Sequence, residues 1–409
     1  MTPLDEAGSL SGLKIIDLTR VLAGPLATMW LGDMGADVIK IERPGLGDDT
    51  RAWGPPFVGA QSAYFLGANR NKRSVTLDLT AEAGRDVLRR LISDADVVID
   101  NFKIGTLDRW GLTDEWYDEN APNVVRCTIS GYGTTGPKAG LPGYDFILQA
   151  ETGLMSITGD PDGESMKYGV AIVDICTGML ATISVLGALQ ARQRTGRGQR
   201  TEVSLHDTGI QMLANVASNF LVSGADPERF GNGHPNIVPY RTFRAADGEL
   251  AISVGNDRQF AALAQILNHP EWIEDQRFAI NRDRVANRDL IDGLIGAEVV
   301  SRTRAEWILA LEEVGIAAGP INNVAEALSS EQTSARRMVV DVDHAEVGAV
   351  PVLGIPFQMF GTPPSIRRPP PVLGQHSHEV LVGEVGVDDE AFVALLEAGV
   401  TTLPDSREA

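Results

Sequence analysis

The sequence predicts an α/β protein with a doubly wound parallel sheet and a second, smaller α+β domain. Short runs of aliphatic and β-branched residues alternate with helical patterns through the first half of the chain, which is typical of parallel strands joined by crossover helices. The pattern of predicted elements changes near Pro227, where loops, a hairpin and amphipathic helices begin. The length of 409 residues also exceeds one domain of the usual ~100–200 residues.

The amino-terminal elements form a βαβ unit. Residues 14–18 are a strand candidate, 26–34 a short helix that stops at Gly35, and 37–41 the next strand. The same alternation continues downstream, with predicted strands at 74–79, 96–99 and 124–130 and a predicted helix at 81–93.

An apolar stretch, residues 168–189, contains a single charged side chain, Asp174. The pattern predicts a strand, GVAIVD, and then a long helix that ends at Gly196. The uncharged run inside it, residues 175–191, is shorter than the roughly 20 apolar residues of a membrane span, so we expect a buried core helix.

The second half contains the predicted small domain and a long return. The hairpin turn Asp247-Gly248 and a capping box at Thr303 fall in the small domain, 225–330. Residues 355–374 hold six prolines and are expected to run extended, before a last helix from Glu379. The predicted divisions of the chain are 1–224, 225–330 and 331–409.

Composition excludes several classes of function. A formal charge of −20 argues against nucleic acid or an anionic membrane as partner, because such proteins usually carry a basic face. The two cysteines, Cys127 and Cys176, exclude a disulfide scaffold and a multi-thiolate metal site. The first residues carry no secretory signal pattern, and the expected location is the cytoplasm.

Two familiar cofactor sites are not expected. The turn RVLAGP has one glycine where a dinucleotide fingerprint needs three to let the backbone approach a pyrophosphate. His376 and His378 have no further histidine or cysteine cluster beside them, whereas a metal site needs three or four convergent ligands. These residues therefore favour neither a dinucleotide site nor a metal site.

Basic residues recur near the predicted strands. In an open α/β sheet the ligand crevice lies beyond the carboxyl ends of the strands, so these cations could hold a polyphosphate; solvated surface charge explains them equally well. They are Arg20, Arg43, Arg70, Lys72, Arg73, Lys103 and Arg109.

Asp174 has two interpretations. Its position before a helix suits an N-cap, a role worth about 1 kcal/mol. A carboxylate held ionised at a helix N-terminus can also be a nucleophile, so the two roles are compatible. Cys176 has no histidine nearby in sequence and is interpreted as a small buried residue.

Several motifs together resemble family III CoA-transferases, the family of formyl-CoA:oxalate and carnitine CoA-transferases. They occur in order over nearly the whole chain: LTRVLAGPLATMWLGDMGADVIKIERPGLGDDTR, NRNKRSVTLDL, NFKIGTLDRWGL, SGYGTTGP, GYD and GVAIVDICTG. The resemblance implies a Rossmann-like large domain built from both chain ends, a smaller domain, and an interlocked homodimer.

The resemblance also implies site residues. Asp174 matches the catalytic aspartate, whose carboxylate attacks an acyl-CoA thioester to give a mixed anhydride and then an aspartyl-CoA thioester. CoA and acyl-CoA are substrates, and no metal or other cofactor is needed. The implied CoA contacts are Val21, Leu22, Arg43, Leu77, Asn101, Phe102, Arg109 and Lys138. The loop Gly231, Asn232, Gly233 and His234 falls where the family has a mobile loop over the site, with fewer glycines here.

The segments GDDTRAWGPPFVG and NGHPNIVPYRTF look most like members that use succinyl-CoA and another dicarboxylate. A second carboxylate would need a cation, and Arg51, Arg70 and Arg73 are the candidates. Two alternatives stay open. A 2-methylacyl-CoA racemase would need a histidine where this chain has Tyr144, and tyrosine, with a reference pKa near 10, is a poor base. A CoA-binding protein without catalysis is the other.

Overall fold

The structure is a computed structural model that describes residues 8–404. Those residues form two compact units. The first comprises the described parts of Met1–Leu154, Tyr168–Ala214 and Gln332–Ala409, and the second comprises Met155–Lys167 and Asn215–Glu331. The second unit thus contains the segment 225–330 and extends beyond it on both sides in sequence, while both ends of the described chain belong to the first unit.

The first unit begins with alternating strands and helices. In chain order they are β1 (Lys14–Leu18), α1 (Ala23–Asp33), β2 (Asp37–Glu42), β3 (Phe57–Val58), β4 (Gln61–Ser62), α2 (Ala63–Ala68), β5 (Lys72–Thr76), α3 (Glu82–Ser93), β6 (Val97–Asp100), α4 (Thr106–Arg109), α5 (Asp114–Asn120), β7 (Val125–Ser130), α6 (Asp145–Glu151), α7 (Ile172–Thr195), β8 (Arg200–Ser204) and α8 (Leu205–Met212).

Six of these strands make one parallel sheet in the order β5-β2-β1-β6-β7-β8. Counted among themselves in chain order, the strands run 3-2-1-4-5-6, the doubly wound arrangement. The predicted α/β class with a parallel central sheet is confirmed. The strand order reverses between β1 and β6, and in this architecture ligands bind beyond the carboxyl ends of the strands at that point.

Helices cover both faces of the sheet because its strands are apolar on both sides. On one face Ile15, Val97 and Ile99 pack with residues of α1 and α7, among them Leu31 and Val185. The other face is buried under α3, α5 and the C-terminal helices described below. Helix α7 is long and apolar enough for a membrane span by length and composition alone, yet its packed side belongs to this core.

One predicted element is wrong. Residues 169–174 do not form a strand, since the chain is irregular up to Ala171 and α7 begins at Ile172. Asp174 therefore lies in the first turn of the helix and not at the end of a strand. The long helix itself and its end at Gly196, with φ of +70°, are as predicted.

The second unit is built around an antiparallel sheet of three strands, in the order β11-β10-β9. Its buried core includes Phe260, Phe278 and Trp307. The predicted hairpin and the capping box of Thr303 and Glu306 are confirmed. The elements are α9 (Ala214–Ser223), β9 (Tyr240–Ala245), β10 (Gly248–Ser253), α10 (Asp257–Ile266), α11 (Asn281–Ala286), α12 (Arg288–Val299), α13 (Arg304–Glu312), β11 (Ala317–Pro320), α14 (Val324–Ser329) and α15 (Glu331–Ala335), the last running into the first unit.

The last part of the described chain returns to the first unit. Its elements are β12 (Val339–His344), β13 (Gly348–Leu353), α16 (Ser377–Gly383) and α17 (Asp389–Glu397). The β12–β13 hairpin is not among the predicted elements. The proline-rich segment 355–374 contains no helix or strand, and its extended course stays a prediction. Val380, Leu381 and Phe392 pack with α3 against the parallel sheet, so the C-terminal helices complete one face of its core.

Candidate active site

A cleft of about 360 Å³ lies where the sheet order reverses. Its walls come from the turn after β1, the turn after β6, the end of β7, the loop before α6, and the first turn of α7. Asp174 lines it, together with Val21 and Leu22 on one side and Asn101 and Phe102 on another. The location agrees with the general rule for doubly wound sheets.

The turn after β1 is held in an unusual conformation. Val21 has φ of +73°, a left-handed conformation that is strained for a β-branched residue. Its backbone N–H donates to the Asp48 carboxylate at 3.2 and 3.3 Å. The Asn101 amide clamps Arg20, accepting from its N–H at 3.0 Å and donating to its carbonyl at 2.8 Å. These contacts fix the floor of the cleft.

Asp48 is itself part of a buried charged group under that turn. Its side chain pairs with Lys40 at 3.0 Å, and both side chains are fully buried. Although burial acts to raise it, the nearby Lys40 and the Thr50 N–H lower the pKa of Asp48 to about 2. Lys40 also donates to the Thr19 carbonyl at 2.8 Å, so the pair ties the end of β1 to β2.

Asp174 does not cap α7. The N-cap is Ala171, and the capping oxygen comes from Asp145 at the start of α6. One Asp145 oxygen accepts from the Val173 N–H at 2.8 Å and from the Asp174 N–H at 3.3 Å. The N-cap interpretation of Asp174 is therefore wrong, and within residues 8–404 no hydrogen bond or ion pair engages its carboxylate.

The site makes the Asp174 carboxylate basic. Burial, and then the negative charge of Asp145, raise its pKa to about 7. Tyr64 of α2 lies near enough to Asp174 to feel its charge. Burial, and then that charge, raise the pKa of the Tyr64 phenol to about 12. The Tyr64 ring meets Trp53 edge to face at 5.1 Å. A carboxylate that ionises near neutral pH, with its oxygens free, is suited to nucleophilic attack.

The predicted CoA contacts divide into two groups. Val21, Leu22, Asn101 and Phe102 come together in the cleft. Four do not line it. Arg43 is exposed and pairs with Asp49 at 2.9 Å, and Arg109 is exposed and donates to Thr106. Lys138 is exposed and pairs with Glu151 at 2.7 Å, whereas Leu77 is buried in the core.

Arg20, Lys103 and Tyr132 are among the residues that line the cleft without belonging to the predicted CoA contacts. Arg20 and Lys103 belong to the basic residues that the sequence analysis places near strand ends. The sequence therefore already indicated that these two could bind a ligand. The Arg20 guanidinium lies 6.0 Å from the centre of the Phe102 ring, and its Nε is buried without a partner in the described chain. The cleft thus contains two cationic side chains that are absent from the CoA contacts implied by the family resemblance.

The structure argues against all three proposed acceptor cations. Arg70 is 2% exposed and forms a two-pronged ion pair with Asp33 at 2.9 and 2.6 Å. Arg73 is 3% exposed. Its partners are Asp37, Glu379 and Glu384. Both arginines belong to the amino end of β5, the edge opposite the cleft.

The third candidate, Arg51, is also occupied. It contacts Glu42 through two hydrogen bonds of 2.8 and 2.7 Å and lies 3.7 Å from the centre of the Phe65 ring. All three arginines are committed to carboxylates of this chain, and none lines the cleft. These contacts weigh against Arg51, Arg70 and Arg73 as acceptor-binding residues, and that role stays a prediction.

The loop Gly231, Asn232, Gly233 and His234 belongs to the second unit. Gly231 has φ of +57°, Asn232 donates to Thr242 at 3.1 Å, and the His234 N–H donates to the Tyr240 carbonyl at 3.0 Å. The loop is a defined turn against β9, and its role over an active site stays a prediction.

His376 and His378 both contact other residues of the first unit. The His376 ring accepts from the Ser74 N–H at 3.2 Å, and the His378 ring packs on Phe392. Across residues 8–404 there is no group of three or more histidine, cysteine, aspartate or glutamate side chains arranged to hold a metal ion.

Comparison with known proteins identifies the family. Residues 10–377 match the model of CoA-transferase family III. This chain belongs to CoA-transferase family III. A succinyl-CoA:glutarate CoA-transferase of Mus musculus is 41% identical over 396 residues, covering 97% of this chain and 91% of the mouse protein. A succinate–glutarate CoA-transferase of Agrobacterium fabrum is 44% identical over 378 residues, covering 91% and 94%.

Solved structures agree with this family III assignment. A crystal structure of a CaiB/BaiF family protein from Brucella suis matches with a TM-score of 0.81 and 42% identity, over 92% of this chain and all of that one. The family III enzyme described here is a CoA-transferase, and its fold is that of its relatives.

Proposed function

We propose that this CoA-transferase moves CoA from succinyl-CoA to a dicarboxylic acid, with Asp174 as the nucleophile. The proposal rests on one observation above others: a carboxylate with free oxygens and a pKa of about 7 lies at the cleft where the sheet order reverses. The names of the mouse and Agrobacterium relatives support succinate and glutarate as the class of acid.

The reaction balances without a cofactor. An Asp174 oxygen attacks the thioester carbon of succinyl-CoA, the C–S bond breaks, and CoA leaves as a thiolate beside a mixed anhydride. The thiolate attacks the Asp174 carboxyl carbon, which releases succinate and leaves an aspartyl-CoA thioester. The acceptor carboxylate then displaces the thiolate to form a second anhydride. Attack of the thiolate on the acceptor's acyl carbon gives the new acyl-CoA and restores the Asp174 carboxylate.

The cleft suits CoA as the carrier. Val21, Leu22, Asn101 and Phe102 provide backbone groups and an aromatic surface, and Arg20 and Lys103 provide positive charge for phosphates. We propose that these six residues bind CoA. The enzyme acts in the cytoplasm with no metal, membrane or nucleic-acid partner in this proposal.

We propose further that the enzyme is a homodimer. Helix α7 exposes Met179, Leu180 and Ile183 by 47%, 37% and 62%, and the loop and helix before it expose Phe146 and Val170. Large apolar side chains left exposed on neighbouring elements suit an interface with a second copy of the chain. Light scattering should give twice the mass of 43.8 kDa, and a monomer at micromolar concentration would contradict the proposal.

Mass spectrometry tests the nucleophile directly. The protein is mixed with succinyl-CoA without acceptor, and peptides are compared with those of Asp174→Ala and of Asp389→Ala, an aspartate in the first turn of α17. We expect a CoA-sized or succinyl-sized adduct on the 168–192 peptide of the wild type and of the Asp389 variant only. An adduct that survives in Asp174→Ala would refute the assignment.

An acceptor panel tests the substrate class. Succinyl-CoA is offered with dicarboxylates of increasing length and with monocarboxylates of matched length, and the new thioester is measured. Preference for dicarboxylates supports the proposal. Equal rates with matched monocarboxylates would show that the second carboxylate is not recognised.

A further inference from the structure

Asp145 holds the nucleophile through a chain of hydrogen bonds. Its first oxygen accepts from the Val173 and Asp174 N–H groups at 2.8 and 3.3 Å, and its second accepts from the Gln149 amide at 2.5 Å. The Gln149 oxygen in turn accepts from the Tyr168 N–H at 2.7 Å. Asp145 and Gln149 are both buried, one helical turn apart on α6. These hydrogen bonds hold both ends of the segment 168–174, which leads into α7.

We infer that Asp145 is a positioning residue for the nucleophile, and that its charge favours the covalent intermediates over the free Asp174 carboxylate. This inference rests on the proposed function. Protonation and acylation both remove the negative charge of Asp174. When the aspartyl-CoA thioester forms, that charge departs with the released acid, and the repulsion from Asp145 disappears.

The size of the effect follows from this equivalence. A neighbouring like charge that raises a carboxylate pKa by one unit favours neutralisation about tenfold, whether by a proton or by an acyl group. Asp145 accepts three hydrogen bonds, and two of them come from the N-terminus of α7.

Other ionisable groups around Asp174 do not replace this role. Tyr64 of α2 is neutral below a pKa of about 12. The thiol of Cys176 has its pKa raised by burial. Arg20, Lys103 and Asp49 line the same cleft, and the two cations act in the opposite direction. On α8, His206 and Asp207 contact each other at 3.2 Å, and the first two turns of α1 hold no ionisable side chain.

The test separates charge from capping. Asp145→Asn keeps one oxygen to accept from the helix N–H groups but removes the negative charge. Its new NH2 group faces the N–H of the Gln149 amide, so that hydrogen bond is lost. The double variant Asp145→Asn with Gln149→Glu restores that pair and moves the charge one helical turn along α6, to the side chain that contacts the Tyr168 N–H instead of the Asp174 N–H. The matched control is Asp388→Asn, since Asp388 caps α17 in the same unit without a nucleophile beside it.

Two quantities are measured for each variant. One is the fraction of Asp174 carrying CoA at equilibrium with fixed succinyl-CoA and succinate; the other is the acid limb of kcat/KM. We expect about a tenfold smaller ratio of modified to free enzyme and a limb about one pH unit lower in both Asp145 variants. Asp388→Asn should match the wild type, and thermal unfolding checks that each variant is folded.

The outcomes are distinguishable. If the wild type forms no adduct on Asp174, the proposed function fails. If the wild type forms it and a folded Asp145 variant gives the same modified fraction and the same acid limb, the inference about Asp145 is overturned while the function stands.

Discussion

Activity should depend on one ionisation near neutral pH. Burial and Asp145 raise the pKa of Asp174 to about 7, so the attacking carboxylate is protonated below that pH. The sign follows directly: the enzyme is active above pH 7 and loses activity as pH falls through 7. An ordinary aspartate, with a pKa of about 3.9, would be ionised throughout this range.

The magnitude comes from the fraction ionised. With a pKa of about 7, about nine-tenths of Asp174 is ionised at pH 8 and about one-tenth at pH 6. Thus kcat/KM for succinyl-CoA should fall about tenfold between pH 8 and pH 6, equivalent to about 1.4 kcal/mol in the activation free energy. It should fall about tenfold again by pH 5.

The assay is initial-rate kinetics from pH 5 to 9 with separation of the two CoA thioesters. The free carboxylate of succinyl-CoA has an ordinary pKa of about 4.3 and stays largely ionised above pH 6. Circular dichroism at each pH shows whether the fold persists. A profile that is flat from pH 8 to 6, with its acid limb near pH 4, would refute the reasoning about Asp174.

Three further predictions concern the scaffold. Val21→Gly should leave the free energy of unfolding, measured in urea, unchanged or raise it by up to about 1.5 kcal/mol, because it relieves about 1–2 kcal/mol of left-handed strain at an entropic cost of about 0.5–1 kcal/mol; a clear loss of stability would contradict the strain. Gly178→Ala should lower it by about 1–3 kcal/mol, since the new Cβ would lie 2.6 Å from a carbonyl oxygen of α1. Its control, Gly187→Ala in the same helix, meets nothing within 4 Å and should stabilise by about 0.5–1 kcal/mol; equal effects would contradict the packing argument. Arg70→Met should cost about 3–5 kcal/mol by stranding buried Asp33, with the acceptor KM unchanged, and a raised KM in a stable protein would restore Arg70 as an acceptor cation.

Much of the first unit follows from sequence alone. The strands at 14–18 and 37–41 are predictable because central parallel strands are apolar on both faces and are separated by a helix with a clear stop at Gly35. Strand direction also contains information about the site. Arg70 and Arg73 lie at the amino end of their strand, away from the carboxyl edge where ligands bind, and their positions in the sequence already indicate this.

Other features depend on contacts between distant residues. Helix α7 starts without a capping side chain of its own, because the cap is Asp145 on another helix, and β-branched residues in GVAIVD favour a strand locally. The strained turn at Val21 likewise depends on Asp48 and Asn101. No local pattern encodes either arrangement.

The separation of cap and nucleophile has a chemical consequence. If Asp174 capped α7 itself, its oxygens would accept helix N–H groups, and those bonds would lower its pKa and occupy the lone pairs needed for attack. The sequence interpretation, in which one carboxylate both caps and attacks, therefore describes a weak nucleophile. In the structure Asp145 takes the N–H groups, and Asp174 keeps its oxygens free and gains basicity from its burial and then from the charge beside it. Two carboxylates divide between them a role that the sequence suggests for one.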